Sequence, residues 1–226
     1  MTADAPPGLN NPSLMTPPWP FGYRTAWLAI RSEGPKAVAV ALELQNVQQS
    51  NWVYGVWHSV ETDEYQIFVT PSVKGWVLAV GIAFLFEADD HQEKRIIALS
   101  KQFGEAQFFS SMRVSSAYLW ARATNGKLVC LFYEGDGTRR TAGDETTEEK
   151  QLNFKFFDPS SPESKEPGYW ERKDFTYVDE DSVLSVASNW SVDPTKVDRM
   201  GLAPALGLLG SPSASYAPNP NWHHNR

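Results

Sequence analysis

A chain of 226 residues with a net charge of −7 has room for one large domain or two small ones. Its field repels a phosphate backbone or an anionic membrane surface, so nucleic-acid and membrane partners are disfavoured. Hydrophobic residues make up 42% and aromatics 13% of the chain, ample material for a core and, alternatively, for an aromatic recognition surface.

Residues 1–20 hold six prolines and little apolar periodicity, which predicts a mobile or surface-draped arm. This start lacks the basic opening and continuous apolar stretch of a secretory signal. Thr25 to Arg31 reads as a first strand, with a helical reading close behind. Gly34-Pro35 opens a helix, because proline at the first helical position already has the right φ and lacks a donor that would go unpaired. Val38, Ala41, Leu42 and Gln45 keep the helical period, so that helix is expected to end near Gln45 to Val47. WVYGVWHSV (52–60) and YQIFVTPSV (65–73) read as short β-type runs.

Gly75 to Phe86, GWVLAVGIAFLF, is the most apolar run. It is too short for a membrane helix, which needs about 20 apolar residues. Its β-branched and aromatic content predicts a strand buried on both faces, bent at Gly81. Asp89 to Phe103 follows as a second helix, with Asp89 and Asp90 favoured by its dipole and Gly104 as a left-handed stop. EAQFFSSM (105–112) reads as a strand beside the hairpin Tyr118 to Tyr133, where Asn125-Gly126 suits a turn needing positive φ twice.

The stretch EGDGTRRTAGDETTEEK (134–150) reads as a polar loop, and LNFKFF (152–157) as a returning strand. Residues 158–168 are loop by composition. A third helix is expected over Asp181 to Trp190, and Asp193-Pro194 starts a short one ended by Gly201. From Gly210 a loose tail is expected, including the pair His223 and His224. The organisation is thus an arm (1–20), one α+β domain (21–209) and a tail (210–226). Its fold class is an antiparallel-rich β-sheet with inserted helices and a helical C-terminal segment.

The candidate chemistry is sparse. Cys130 is the only cysteine, so no disulfide can form within the chain, and its place in LVCLFY makes it a small core hydrophobe. With one thiol and no signal, a cytoplasmic location is expected, and the sequon Asn189-Trp190-Ser191 is a chance match. His58, near Glu61, Asp63 and Glu64, could act as a general base with an orienting carboxylate. His91 sits on the first turn of a helix as a solvated residue. No nucleophile elbow, phosphate loop or EF-hand pattern is present, so no cofactor and no metal are expected. What stands out is acidic clustering: Glu61, Asp63 and Glu64; Glu87, Asp89 and Asp90; Asp144, Glu145, Glu148 and Glu149; and Asp179, Glu180 and Asp181. With the basic pair Arg139 and Arg140, the first and third of these clusters are candidates for a partner-binding surface, complementary to a basic protein.

GWVLAVG, a helix running into LSKQFGEAQFF, a hairpin, and SVASNWSVDPTKV in that order resemble uncharacterised bacterial proteins of this size. In a general way they are similar to immunity proteins of polymorphic-toxin and type VI secretion systems. The shared motifs are structural (Gly75-Trp76, Phe103-Gly104, Trp190 to Pro194) and assign no functional residues. The resemblance implies a non-enzymatic protein-binding module that neutralises a basic toxin by covering its active site. Two alternatives stand beside it: an enzyme with a scattered site around His58, and a structural subunit whose arm wraps a neighbour.

Overall fold

The computed structural model describes residues 6–62, 64–86 and 89–213. The strands are β1 (Ala26–Arg31), β2 (Gln45–Ser50), β3 (Ile67–Val69), β4 (Trp76–Val80), β5 (Glu105–Met112), β6 (Ala117–Thr124), β7 (Lys127–Gly135), β8 (Thr138–Gly143) and β9 (Gly207–Ser211). The helices are α1 (Pro35–Ala41), α2 (Trp52–Val60), α3 (Asp89–Phe103), α4 (Thr147–Leu152) and α5 (Glu180–Trp190), with several short 3₁₀ helices. All nine strands join one antiparallel sheet, in the order β2-β9-β3-β4-β1-β5-β6-β7-β8. The fold is α+β.

Helices cover both faces of the sheet. On one face Trp27, Phe68, Leu78, Phe109 and Trp120 meet Trp52 and Val56 of α2 and Val183, Val186 and Trp190 of α5. On the other, Leu28, Ile30, Val77, Ala79 and Phe108 meet Val38 and Ala39 of α1, Leu42 just after it, and Ile96 and Leu99 of α3. A strand between two helical layers has no solvent side, so its sequence is apolar throughout instead of alternating. That accounts for β4, every residue of which is buried.

The Gly75 run is therefore a central rib, but only its first half is strand. The chain turns at Gly81, where a Cβ would sit 2.7 Å from the Gln66 carbonyl oxygen. Ile82–Phe86 then form a 3₁₀ helix instead of more strand. Helix α3 and the β6–β7 hairpin match their predicted positions. Asn125 and Gly126 both have positive φ (51° and 79°), and Thr124 pairs with Lys127 across them.

Five expectations are corrected. WVYGVWHSV is helix α2, not strand, because Asn51 caps it by accepting from the Tyr54 N–H at 2.8 Å. Helix α1 ends at Ala41, and the chain reverses through Glu43 at positive φ into β2. The supposed polar loop after β7 is strand β8, entered through Asp136-Gly137 with φ of 50° and 70°, followed by α4. Residues 152–157 form no strand; α4 stops at left-handed Asn153, and Phe156 makes only an isolated bridge to Thr176. Finally, Gly210 and Ser211 belong to β9, which lies between β2 and β3, so the boundary expected at 210 falls inside the sheet. His223 and His224 lie outside the described residues.

The arm drapes over the start of α2. The Asn51 amide donates to the carbonyls of Gly8 (3.0 Å) and Asn11 (2.8 Å), and Thr16 and Pro18 are buried. Among the described residues no helix is long and apolar enough to cross a membrane.

Candidate functional site

The sequence-derived candidates separate into exposed and committed groups. Arg139 is turned inward: its guanidinium donates to Glu134 and to the Phe157 carbonyl, and lies 5.2 Å from the centre of the Phe132 ring. Arg140 is bonded to Glu93 on α3. Glu149 is 6% exposed, so it leaves the proposed surface. One of its oxygens accepts from Trp120 Nε1 at 2.7 Å, and the other from the Thr146 N–H at 2.7 Å, closing the capping box of α4. The reason is geometric: a capping-box glutamate folds back over its own helix start, here directly above the sheet.

Glu148 stands beside Arg122 (3.5 Å). Its own backbone N–H at the helix start holds the Glu148 carboxyl below the usual range, with Arg122 adding to the effect. Asp144 and Glu145 are exposed just before α4. Glu61 and Glu64 are exposed at the far end of α2, and Asp63 lies outside the described residues. The two acidic groups thus lie at separated places on one layer, since α2 packs over β3 and β9 whereas α4 sits over Trp120 of β6.

His58 has an orienting carboxylate: its Nδ1 is 2.9 Å from Glu64 Oε2, and its ring stacks on Tyr54 at 4.1 Å. It lines neither of the grooves described below. His91 is exposed. Among the described residues no group of three or more His, Cys, Asp or Glu is placed to hold a metal ion. Cys130 is buried, and burial, with the neighbouring Glu149 carboxylate, pushes its thiol pKa well up. A thiol kept protonated is a poor nucleophile.

The feature that sequence reasoning missed is a groove of about 720 Å³ beside α2. Val53, Val56, Trp57, Val60 and Glu61 recur at helical spacing and form one wall. The opposite wall is the segment from Trp19 to Arg24, which links the arm to β1 and is fixed by the Phe21 N–H donating to the Pro194 carbonyl. Gly22 in that wall has φ of 133°, and a Cβ there would come within 3.0 Å of Leu184, so only glycine lets the wall approach α5 this closely. Trp19 (42% exposed), Tyr23 (51%) and Trp57 (43%) keep large ring surfaces open to the groove. A second depression of about 250 Å³ shares Tyr23, Arg24, Val60 and Glu61 and runs on to Met112, Arg113 and Val114, which is 88% exposed.

The two together make one trough with an aromatic end and a charged middle. Burial and the nearby Asp181 carboxylate push the Tyr23 phenol up, and its hydroxyl donates to Asp181 at 3.4 Å. Among the described residues neither Arg24 nor Glu61 has an ion-pair partner, and the indole N–H groups of Trp19 and Trp57 donate to no side chain or carbonyl. Chemically the trough can bury apolar groups and offer charges and donors, but it gathers no nucleophile and base. Compared with protein-family models, curated proteins and solved structures, the chain matches none.

Proposed function

We propose that the chain is a cytoplasmic protein-binding module that neutralises a basic bacterial toxin by occluding its active site. One observation carries the reading: the α2 trough holds three half-exposed aromatic rings beside Glu61 and Arg24, which have no ion-pair partner among the described residues. Half-exposed Trp and Tyr at a concave site are the side chains that dominate protein interfaces, since each adds large contact area at small entropic cost. Charges left unpaired in the free protein are already available to a partner. The net charge of −7, with Glu64, Asp144, Glu145 and Glu148 at the surface, adds a field that speeds encounter with a basic protein and disfavours acidic ones. Arg139 and Glu149 take no part, being held within the fold, whereas Arg140 stays exposed in its pair with Glu93.

The reading is tested by expressing the product of the adjacent reading frame in cells with and without this chain. Growth arrest relieved by the wild-type chain and not by Trp57→Ala supports it. Arrest that neither chain relieves, or that both relieve equally, contradicts it.

A further inference from the structure

We infer that a second cavity, between α4 and the β6–β8 end of the sheet, binds the head group of a small quaternary ammonium ion. It holds about 280 Å³ and shares no lining residue with the trough, so the inference stands apart from the partner-binding reading. That volume lies just under the roughly 300–1,000 Å³ of sites for drug-sized ligands, which limits the occupant to a small ion.

The walls are aromatic. Trp120 and Phe132 lie parallel, 4.1 Å apart, on neighbouring strands. Phe156 is inclined to them by 56° and 50°, and Phe154 packs 4.7 Å from Phe156. All four rings line the cavity. A ring attracts a cation held within about 6 Å of its centre, and Phe132 already holds the Arg139 guanidinium at 5.2 Å.

The charge is of one sign. Among the described residues the charged groups lining the cavity are Glu149 and Glu145, with no Lys or Arg. Glu149 is buried, and its two donors, the Trp120 indole and the Thr146 N–H, are neutral. Neutral donors solvate a carboxylate without cancelling its charge, and buried charges are ordinarily paired. The nearby arginines are committed elsewhere. Arg122 stands between Glu105 (2.6 Å) and Glu148 (3.5 Å), and Arg139 is bonded to Glu134. A cation entering the cavity would supply the missing counter-charge.

The walls also select the kind of cation. A primary ammonium brings three N–H donors that need acceptors. Behind the exposed mouth at Thr141 and Glu145, the walls offer rings, Cys130, Leu131 and Ala142, and Glu149 is already engaged. A metal ion fares no better, since among the described residues no three ligating side chains converge. A quaternary ammonium spreads its charge over methyl groups and needs no acceptor, so rings beside one carboxylate suit it.

The probes are choline and its neutral isostere, the alcohol in which a tert-butyl group replaces trimethylammonium, with protonated ethanolamine as the primary ammonium. Affinity for the full chain is read by titration calorimetry, and location by NMR shifts of the Trp120 indole N–H and the amides of β7 and β8. Choline should bind at least about tenfold more tightly than either control and should move the Trp120 indole. Glu149→Gln should abolish the preference for the cation and leave the isostere's affinity unchanged. Should the urea midpoint show that variant unfolded, Phe154→Leu, at a half-buried ring, should weaken choline about threefold. A short trimethyllysine peptide carries the same head group on a chain. Binding tighter than that of choline would assign the head group to a protein, weaker binding would assign it to a free solute, and both support the site.

Equal affinity for choline and its isostere overturns the inference, leaving an apolar cavity indifferent to charge. So does ethanolamine binding as tightly as choline, a set of shifts elsewhere, or no binding at tens of millimolar choline.

Discussion

Burying a carboxylate is costly unless its oxygens are given donors, and Glu149 is supplied on both: the Trp120 indole on one and the Thr146 N–H on the other. Removing that side chain leaves two buried donors unpaired. Glu149→Ala should therefore lower unfolding stability by about 2–3 kcal/mol, read by urea denaturation, and Glu149→Gln by less because one acceptor oxygen is kept. Cys130, beside it, makes a pH-dependent contribution. The unfolded thiol ionises near its ordinary value of 9.0, while the folded thiol, raised by burial and by Glu149, keeps its proton. The stability it contributes is thus present below about pH 9 and lost as pH rises above it. Between pH 8 and pH 10 wild type should lose more stability than Cys130→Ala; equal losses would remove Cys130 from the linkage. In the sequence, Glu149 looks like one more acid in a polar stretch. Its burial follows from Thr146 at the helix start, and Thr146-x-x-Glu149 is a capping-box pattern that could have flagged it.

Helix α2 decides where the trough lies, and its start depends on Asn51. That side chain accepts from Tyr54 and donates to Gly8 and Asn11, tying the helix cap to the arm. Asn51→Ala should cost about 1–2 kcal/mol through the lost cap. It should also release the arm, seen in limited proteolysis as faster cleavage within residues 6–20. Unchanged cleavage would mean the arm is held by Thr16 and Pro18 instead. The β-branched and aromatic content of WVYGVWHSV suggested strand, yet Val53, Val56, Trp57 and Val60 carry a helical period and Asn51 stands at the cap position. Propensity lost to capping and packing, since Gly55 lets α2 press onto Phe68, where a Cβ would sit 2.1 Å away. Elements with strong punctuation were legible: α3, stopped by Gly104, and the Asn125-Gly126 turn, while the Asp179 cap of α5 was hidden in an acidic cluster. Asp136-Gly137 is the same kind of signal, and it went unread among the surrounding polar residues.

At the scale of the whole molecule, a sheet covered on both faces leaves function to the rims and helix surfaces. The α+β class was legible in the order of strand and helix signals along the chain. The strand order was not, because β9 pairs with β2 and β3, more than 130 residues earlier in the chain. Loss of the chain from Gly207 onward would detach β2 from the sheet, leave β3 paired with β4 alone, and remove buried Leu209. Such a truncation should abolish cooperative unfolding, followed by circular dichroism. The trough was illegible for a related reason: Trp19, Tyr23 and Trp57 meet only after the arm has folded back over α2. The most direct measurement is calorimetric affinity of the adjacent reading frame's product for wild type and for Trp57→Ala, with urea midpoints as a folding control. The account predicts at least about tenfold weaker binding, some 1.4 kcal/mol, at an unchanged midpoint; equal affinity would contradict it.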